Sequence, residues 1–205
     1  MLNREDYMLV IWEYLEAFDK VQEKDISNRL HISPPTVYEY LLKLQEEGII
    51  SRNGRNIEFT PSGKNFALKL IRMHRISEVF AYKFLEIPWE DVHVSVMELE
   101  HLFSGSKGEA LYKNLGRPET CPHGNPINPE YRIKEIPLPF ADDGRYHVRR
   151  VSFEEIGLLK KLASIGAIPD QEVYVIKDAD DIELTGPNGT MKIEFPVAMS
   201  LRLYL

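Results

Sequence analysis

The sequence has one cysteine, Cys121, among 205 residues. An internal disulfide is therefore excluded, and the usage suits a reducing interior. No apolar run approaches the ~20 residues that a membrane-spanning helix needs. The N-terminal MLNREDYMLVIW also lacks the basic start and long apolar stretch of a signal peptide. Glycine-rich phosphate loops, internal repeats and low-complexity tracts are missing as well. A cytoplasmic protein with no membrane partner is expected. A basic excess is also lacking: the net charge is −7, which taken as a whole counts against a nucleic-acid partner.

What is present modifies that last point. Residues 1–72 carry 10 basic and 11 acidic side chains, so the acidity lies mostly elsewhere. Within this third, Arg52, Arg55, Lys64, Lys69, Arg72 and Arg75 face Glu58 alone across residues 51–75. A local basic patch can sit on an acidic chain. Hydrophobic residues at 43% and charged residues at 28% allow a buried core divided among two or three small domains.

The first third reads as helices followed by a hairpin. Met8, Ile11, Trp12 and Leu15 recur at helical spacing, and Ile26 and Leu30 mark a short second helix. In SPPTVYEYLLKLQEEG, Ser33 is a natural cap, Pro34 occupies the first helical position, and Val37, Leu41 and Leu44 form the inward stripe before Gly48 stops the helix. Ile49, Ile50, Ile57 and Phe59 then flank Asn53-Gly54, a strong hairpin signal. Helix-turn-helix followed by a hairpin predicts a winged helix, with a generic three-helix domain as the plainer alternative. The stripe leaves Tyr38, Glu39 and Lys43 on the outer face, and the wing carries Arg52 and Arg55.

Thr60-Pro61 opens a helix predicted to run to about Leu85, where Ile87-Pro88 breaks it. A further helix is expected over 89–104. Stepping 100° per residue from His93 puts Met97 at roughly 40°, Glu100 at roughly −20° and His101 at roughly 80°, one arc apart from the apolar face. His74 and Glu78 are four apart on the preceding helix. An antiparallel turn would bring that pair against His93. Imidazole and carboxylate donors with one thioether suit Fe²⁺, Mn²⁺ or Zn²⁺; the alternative is a surface salt-bridge pair with stray histidines. Cys121 and His123 form a Cys-x-His pair, but two residues alone make no site. Residues 117–147, rich in proline, glycine and charge, read as loop and linker. A helix at 154–166 and short alternating strands split at Asp180-Asp181 and Pro187-Asn188-Gly189 predict a small β-barrel.

Taken in order, EDYMLVIWEYLE, ISPPTVYEYLLKLQEEGII, FTPSGK, MHRISEVF, VHVSVMELEH and CPHGNPI resemble the diphtheria toxin repressor family along nearly the whole chain. That family comprises metal-activated transcriptional repressors, some iron-responsive and some manganese-responsive. The resemblance implies a mainly α fold with small β elements. It implies a winged helix-turn-helix over 1–72, a helical metal-binding and dimerisation domain over 73–128, a linker over 129–146 and an SH3-like, FeoA-type domain over 147–205. His74, Glu78 and His93 match ligands of the family's ancillary site, and Glu155 matches a carboxylate lent by the C-terminal module. Asp6, Glu100 and His101 match the second, activating site. Met97 stands where iron-type members commonly have cysteine and manganese-type members glutamate; Leu9 stands where manganese-type members have another glutamate.

The expected function is a metal-activated repressor that binds double-stranded operator DNA as a homodimer. Fe²⁺ is favoured, because a thioether tolerates it better than Mn²⁺ and the C-terminal module is more usual in iron-type members. Mn²⁺ is the alternative, and Zn²⁺, Co²⁺ or Ni²⁺ are expected to substitute in vitro. DNA contacts are assigned to the helix starting at Ser33-Pro34-Pro35-Thr36, with Thr36 and Tyr38 near bases, Glu39 able to accept from cytosine, and Lys43, Arg52 and Arg55 near phosphates. Phe80, Phe84, Leu102, Phe103, Leu111 and Tyr112 are expected at the dimer contact. The competing class is a two-metal hydrolase, disfavoured because no acid or base is left beyond the ligands. A third option is a regulator whose clusters only stabilise the dimer.

Overall fold

The computed structural model describes residues 3–97, 103, 105–177 and 181–205. The chain divides into two compact units, Met1–Ile71 and Arg72–Leu205.

In the first unit, α1 (Arg4–Phe18) starts at a capping box in which Asn3 accepts from the Glu5 and Asp6 N–H groups and Asp6 accepts back from Asn3. It ends at Asp19 in the left-handed region. α2 (Glu23–Leu30) ends the same way at His31, and α3 (Pro34–Glu46) is capped by the Ser33 hydroxyl, which accepts from the Thr36 N–H. Val37, Leu41 and Leu44 face inward onto Ile11, Ile26, Ile50 and Ile57. β1 (Ile50–Asn53) pairs antiparallel with β2 (Asn56–Phe59). Asn53 opposes Asn56, so the two-residue turn is Gly54-Arg55, one residue beyond the Asn53-Gly54 pair singled out by sequence. Gly54 takes φ +62°, as the first central position of a type II′ turn requires.

The long helix α4 (Pro61–Phe84) follows. Thr60 receives the Gly63 N–H and donates its hydroxyl to the Gly48 carbonyl, tying the helix start to the wing. A Cβ at Gly63 would lie 1.8 Å from the Ile49 carbonyl oxygen, so only glycine fits there.

The second unit departs from expectation in three places. First, over its described residues to Met97, the helix predicted for 89–104 is a single turn, α5 (Val92–Ser95), between turns at Trp89–Asp91 and Val96–Met97. The helical arc drawn from His93 to Met97 is therefore broken at Val96; Glu100 and His101 lie outside the described residues. α6 (Ser106–Asn114) follows, and its partly buried Leu111 and Tyr112 pack against the cluster of Ile76, Val79 and Ile127.

Second, the stretch 129–146 holds β3 (Ile136–Pro137), a 3₁₀ turn (Leu138–Phe140) and the start of β4 (Gly144–Val151). Third, the C-terminal strands make an open antiparallel sheet. β5 (Glu172–Lys177), β6 (Asp181–Gly186), β7 (Gly189–Glu194) and β8 (Leu201–Tyr204) join in the order β3-β8-β4-β5-β6-β7. β3 has only two residues, and Pro137 has no N–H to offer a neighbour, so it is a natural edge. No closing β3–β7 pair is formed among the described residues. α7 (Ile156–Ile165) and the short α8 (Phe195–Ala198) cover the sheet's core of Val148, Val173, Leu184 and Leu203.

A bulge in β4 between Val148 and Arg150 reverses the alternation, so that Arg150 and Val151 are both buried.

Candidate metal centre and nucleic-acid interface

Six side chains of types that could hold a metal ion converge in the second unit, all buried. His74 and Glu78 lie one turn apart on α4, His93 is on α5, and Cys121 and His123 belong to the loop before β3. Glu154 follows β4 directly. His74, Glu78, His93 and Glu154 form one set whose donor atoms all lie within 4.8 Å of one another, and Glu78, Cys121, His123 and Glu154 form a second. The two sets share both carboxylates. His93 Nδ1 lies 2.6 Å from Glu154 Oε2, 3.0 Å from His74 Nε2 and 3.3 Å from Glu78 Oε1. One ring nitrogen cannot satisfy three such neighbours with one proton.

His123 is held by its surroundings. Its Nε2 donates to the Trp89 carbonyl at 3.0 Å, and the Trp89 indole N–H donates to the Pro122 carbonyl at 2.8 Å. That leaves Nδ1 facing Glu154 Oε2 at 3.3 Å and Glu78 Oε1 at 3.5 Å. A neutral ring would present a lone pair to two carboxylates, so the position calls for a second proton or a cation. Burial disfavours the charged ring, but Glu154 and Glu78 outweigh it and hold the His123 pKa well above the ordinary histidine value. Burial likewise pushes Glu78 up, yet the charge of His123 and hydrogen bonds from His123, His74 and His93 bring it well below the usual carboxylate range. Glu154 is lowered for similar reasons, against its own burial and the charge of Glu78. Burial and the two carboxylates push the Cys121 thiol up to about 12. Glu78 Oε2 takes no hydrogen bond among the described residues.

The donor chemistry fits a borderline divalent ion: three imidazoles, two carboxylates and a thiol, with one ring already donating its far N–H to a carbonyl, as metal-ligating histidines do.

The structure places Glu155 elsewhere. Its carboxylate caps α7, accepting from the Gly157 and Leu158 N–H groups at 2.8 Å each. The carboxylate in the cluster belongs to its neighbour Glu154. Cys121 and His123 are the cluster members that sequence reasoning weighed and set aside, and their Cys-x-His spacing was the available signal. Asp6 serves the α1 capping box, and Met97 is half-buried in the turn after α5.

On the first unit, Pro35, Thr36, Tyr38, Glu39 and Lys43 all lie exposed along α3, with Tyr38 45% exposed. Ser33 and Thr36 share a hydroxyl contact of 2.8 Å. Arg52 lies over the Tyr38 ring and pairs with Glu23 at 2.7 Å, while its Nε and Nη2 take no partner among the described residues. Arg55 is exposed at the hairpin turn.

Comparison with known proteins agrees with both regions. Residues 1–56 match the family model for the N-terminal DNA-binding domain of iron-dependent repressors, and residues 60–129 match that for their metal-binding and dimerisation domain. Together the two span more than half the chain. The iron-dependent repressor IdeR of Mycobacterium tuberculosis is 28% identical over 210 residues, covering 94% of this chain and 88% of that protein. The solved structure of IdeR from T. acidophilum shares the fold, with a TM-score of 0.88 at 24% identity, covering 100% of this chain and 99% of that one. A manganese-dependent transcriptional repressor in complex with manganese aligns with a TM-score of 0.81 at 28% identity over 98% of each chain.

Proposed function

Because the chain belongs to the iron-dependent repressor family, whose members are DNA-binding regulators and not enzymes, we propose that it represses transcription in the cytoplasm as a homodimer that answers to Fe²⁺. The observation that carries this is the buried set His74, Glu78, His93 and Glu154, joined to Cys121 and His123 through shared carboxylates. A thiol and three imidazoles favour Fe²⁺ over the harder Mn²⁺.

A bound ion would supply the positive charge that the two carboxylates otherwise draw from the imidazoles. The chain's own part is positional. His74 and Glu78 hold the centre to α4, His93 to α5, and Glu154 to the end of β4. Affinity for the ion is thereby a preference for the arrangement that brings these elements together. Asp6, Met97, Glu100 and His101 are proposed to form the second, activating site. α3 enters the major groove, with Thr36 and Tyr38 reaching bases and Lys43, Arg52 and Arg55 reaching phosphates. Exposed Tyr82, Phe84 and Leu85 at the end of α4 support a dimer contact there. A dimer would set two copies of α3 ~34 Å apart, one turn of DNA. The C-terminal sheet, with its covering helices, is assigned to the SH3-like type.

The test is anaerobic binding to an operator chosen by selection from random DNA, at fixed salt, with Fe²⁺, Mn²⁺ or chelator. Binding is expected with metal only, at lower free Fe²⁺ than free Mn²⁺, and His74→Ala should weaken it at saturating metal. Equal affinity in chelator overturns metal activation, and a preference for Mn²⁺ overturns the assignment of the ion.

A further inference from the structure

We infer that Asn125 is a positioning residue for the metal centre, orienting Glu154, and that the Arg150–Glu135 pair fixes Asn125 in turn. The inference rests on the cluster being the metal site.

The amide of Asn125 is fully used. Its Nδ2 donates to the Val151 carbonyl at 2.7 Å and to Glu154 Oε1 at 2.5 Å. Its Oδ1 accepts from Arg150 Nη1 at 3.1 Å. Arginine has donors only, so the amide oxygen must face Arg150 and the NH₂ must face Glu154. Turning the amide over would set donor against donor and carbonyl against carboxylate. With Oε1 engaged, Glu154 presents Oε2 to His93 and His123.

Arg150 is itself held. Its Nε donates to Glu135 Oε2 at 2.8 Å and its Nη2 to Glu135 Oε1 at 2.7 Å, a two-pronged pairing that fixes the plane of the guanidinium. The β4 bulge sets Arg150 opposite Arg202, on the face away from Val148 and Val151. The backbone closes the same frame. The Cys121 N–H donates to the Asn125 carbonyl and the Val151 N–H to the His123 carbonyl. A Cβ on Gly124 would lie 2.2 Å from the Arg149 carbonyl oxygen, so the loop lies against β4. The loop that supplies two donors thus also orients a third, and Glu135, from the stretch expected to be linker, reaches the centre through two intermediaries.

The test uses the full chain and Co²⁺ in competition with a chromophoric chelator. Asn125→Ala should weaken Co²⁺ about 10- to 100-fold, the usual cost of losing a partner that orients a ligand. Arg150→Lys, which keeps the charge but not the fork, should weaken it less, and Glu135→Gln should behave similarly. The loss from Asn125→Ala should nearly vanish in a Glu154→Gln background and persist in His74→Ala. The Co²⁺ visible spectrum should shift in Asn125→Ala, and the melting temperature of the metal-free variant separates positioning from folding. Unchanged affinity, or an equal loss in both backgrounds, overturns the inference. If Asn125→Ala does not fold, Arg150→Lys and Glu135→Gln decide by the same comparison. Should His74→Ala bind Co²⁺ as the wild type does, the metal site itself is refuted, and the inference with it.

Discussion

In the first unit the residues assigned to DNA stand outside a packed apolar core; in the second the assigned ligands are buried. Thr36, Tyr38 and Lys43 occupy the face of α3 opposite Val37, Leu41 and Leu44, and nothing in the core depends on them. His74, Glu78, His93 and His123 are buried, and their mutual contacts are what make burial tolerable. Exposed polar groups can therefore be exchanged for function alone, since surface substitutions usually change stability by no more than about 0.5 kcal/mol. Buried ones cannot. Removing one member of a buried charged group leaves the rest uncompensated, at a cost of about 3–5 kcal/mol. One unit carries specificity that is separable from its fold, and the other carries a switch that is part of its fold.

The largest test of that contrast is Glu78→Ala. This carboxylate belongs to both donor sets, so metal affinity measured by calorimetry should fall by more than about 100-fold, beyond the loss of an orienting partner. Leu41→Ala, wholly buried in the first unit, should cost about 2–5 kcal/mol and abolish DNA binding; Co²⁺ affinity should stay at the wild-type value. A fall in Co²⁺ affinity would mean that the units do not act separately. Removing metal should destabilise the second unit alone. Ion at 100 times its Kd adds about 2.7 kcal/mol, which for a unit of this size is on the order of 10 °C in melting temperature. Calorimetry should show that transition moving while the other stays. Glu155→Ala should remove the α7 cap, costing ~1 kcal/mol, without weakening Co²⁺, whereas Glu154→Ala should lose the ion. Arg55→Ala should have the smallest effect: slightly weaker binding to every DNA sequence, a salt slope shallower by about 1, and no change in melting temperature.

The first unit was largely legible in its sequence because local rules dictate it. A cap at Ser33 followed by proline, a stripe at 37, 41 and 44, and a Gly48 stop specify a helix with few alternatives. The hairpin moved by one residue because Asn53-Gly54 and Gly54-Arg55 both offer a glycine to a tight turn, and strand pairing chose the second. His74 and Glu78 were legible for the same local reason, being one turn apart on a long helix. The rest of the centre was not. Cys121 and His123 sit in a loop, where no periodicity reports which way a side chain points. Glu154 and Glu155 are adjacent carboxylates, and only the start of α7 decides which caps a helix and which turns to the cluster. The helix expected from residue 89 is shortened over 89–97 because the turns at Trp89–Asp91 and Val96–Met97 leave one helical turn between them, which the apolar and polar faces do not report. Closure of the C-terminal sheet was not legible, because alternation reports strands but not which edges meet, and among the described residues the two-residue β3 with Pro137 stands at one edge.

The apolar interior of the second unit is split. Ile76, Val79, Cys121 and Ile127 form one cluster, Val148, Leu159, Leu203 and their neighbours form another, and the two have no member in common. The six donors draw on elements from both sides, with Asn125 and Arg150 beside them. Such a seam, bridged by Trp89, which packs into the sheet's cluster, and otherwise lined by the polar cluster, is where solvent should enter first on chelation. Amide hydrogen exchange at Cys121 and Val151, whose N–H groups close the frame around the cluster, should therefore quicken on chelation long before the sheet beneath begins to open.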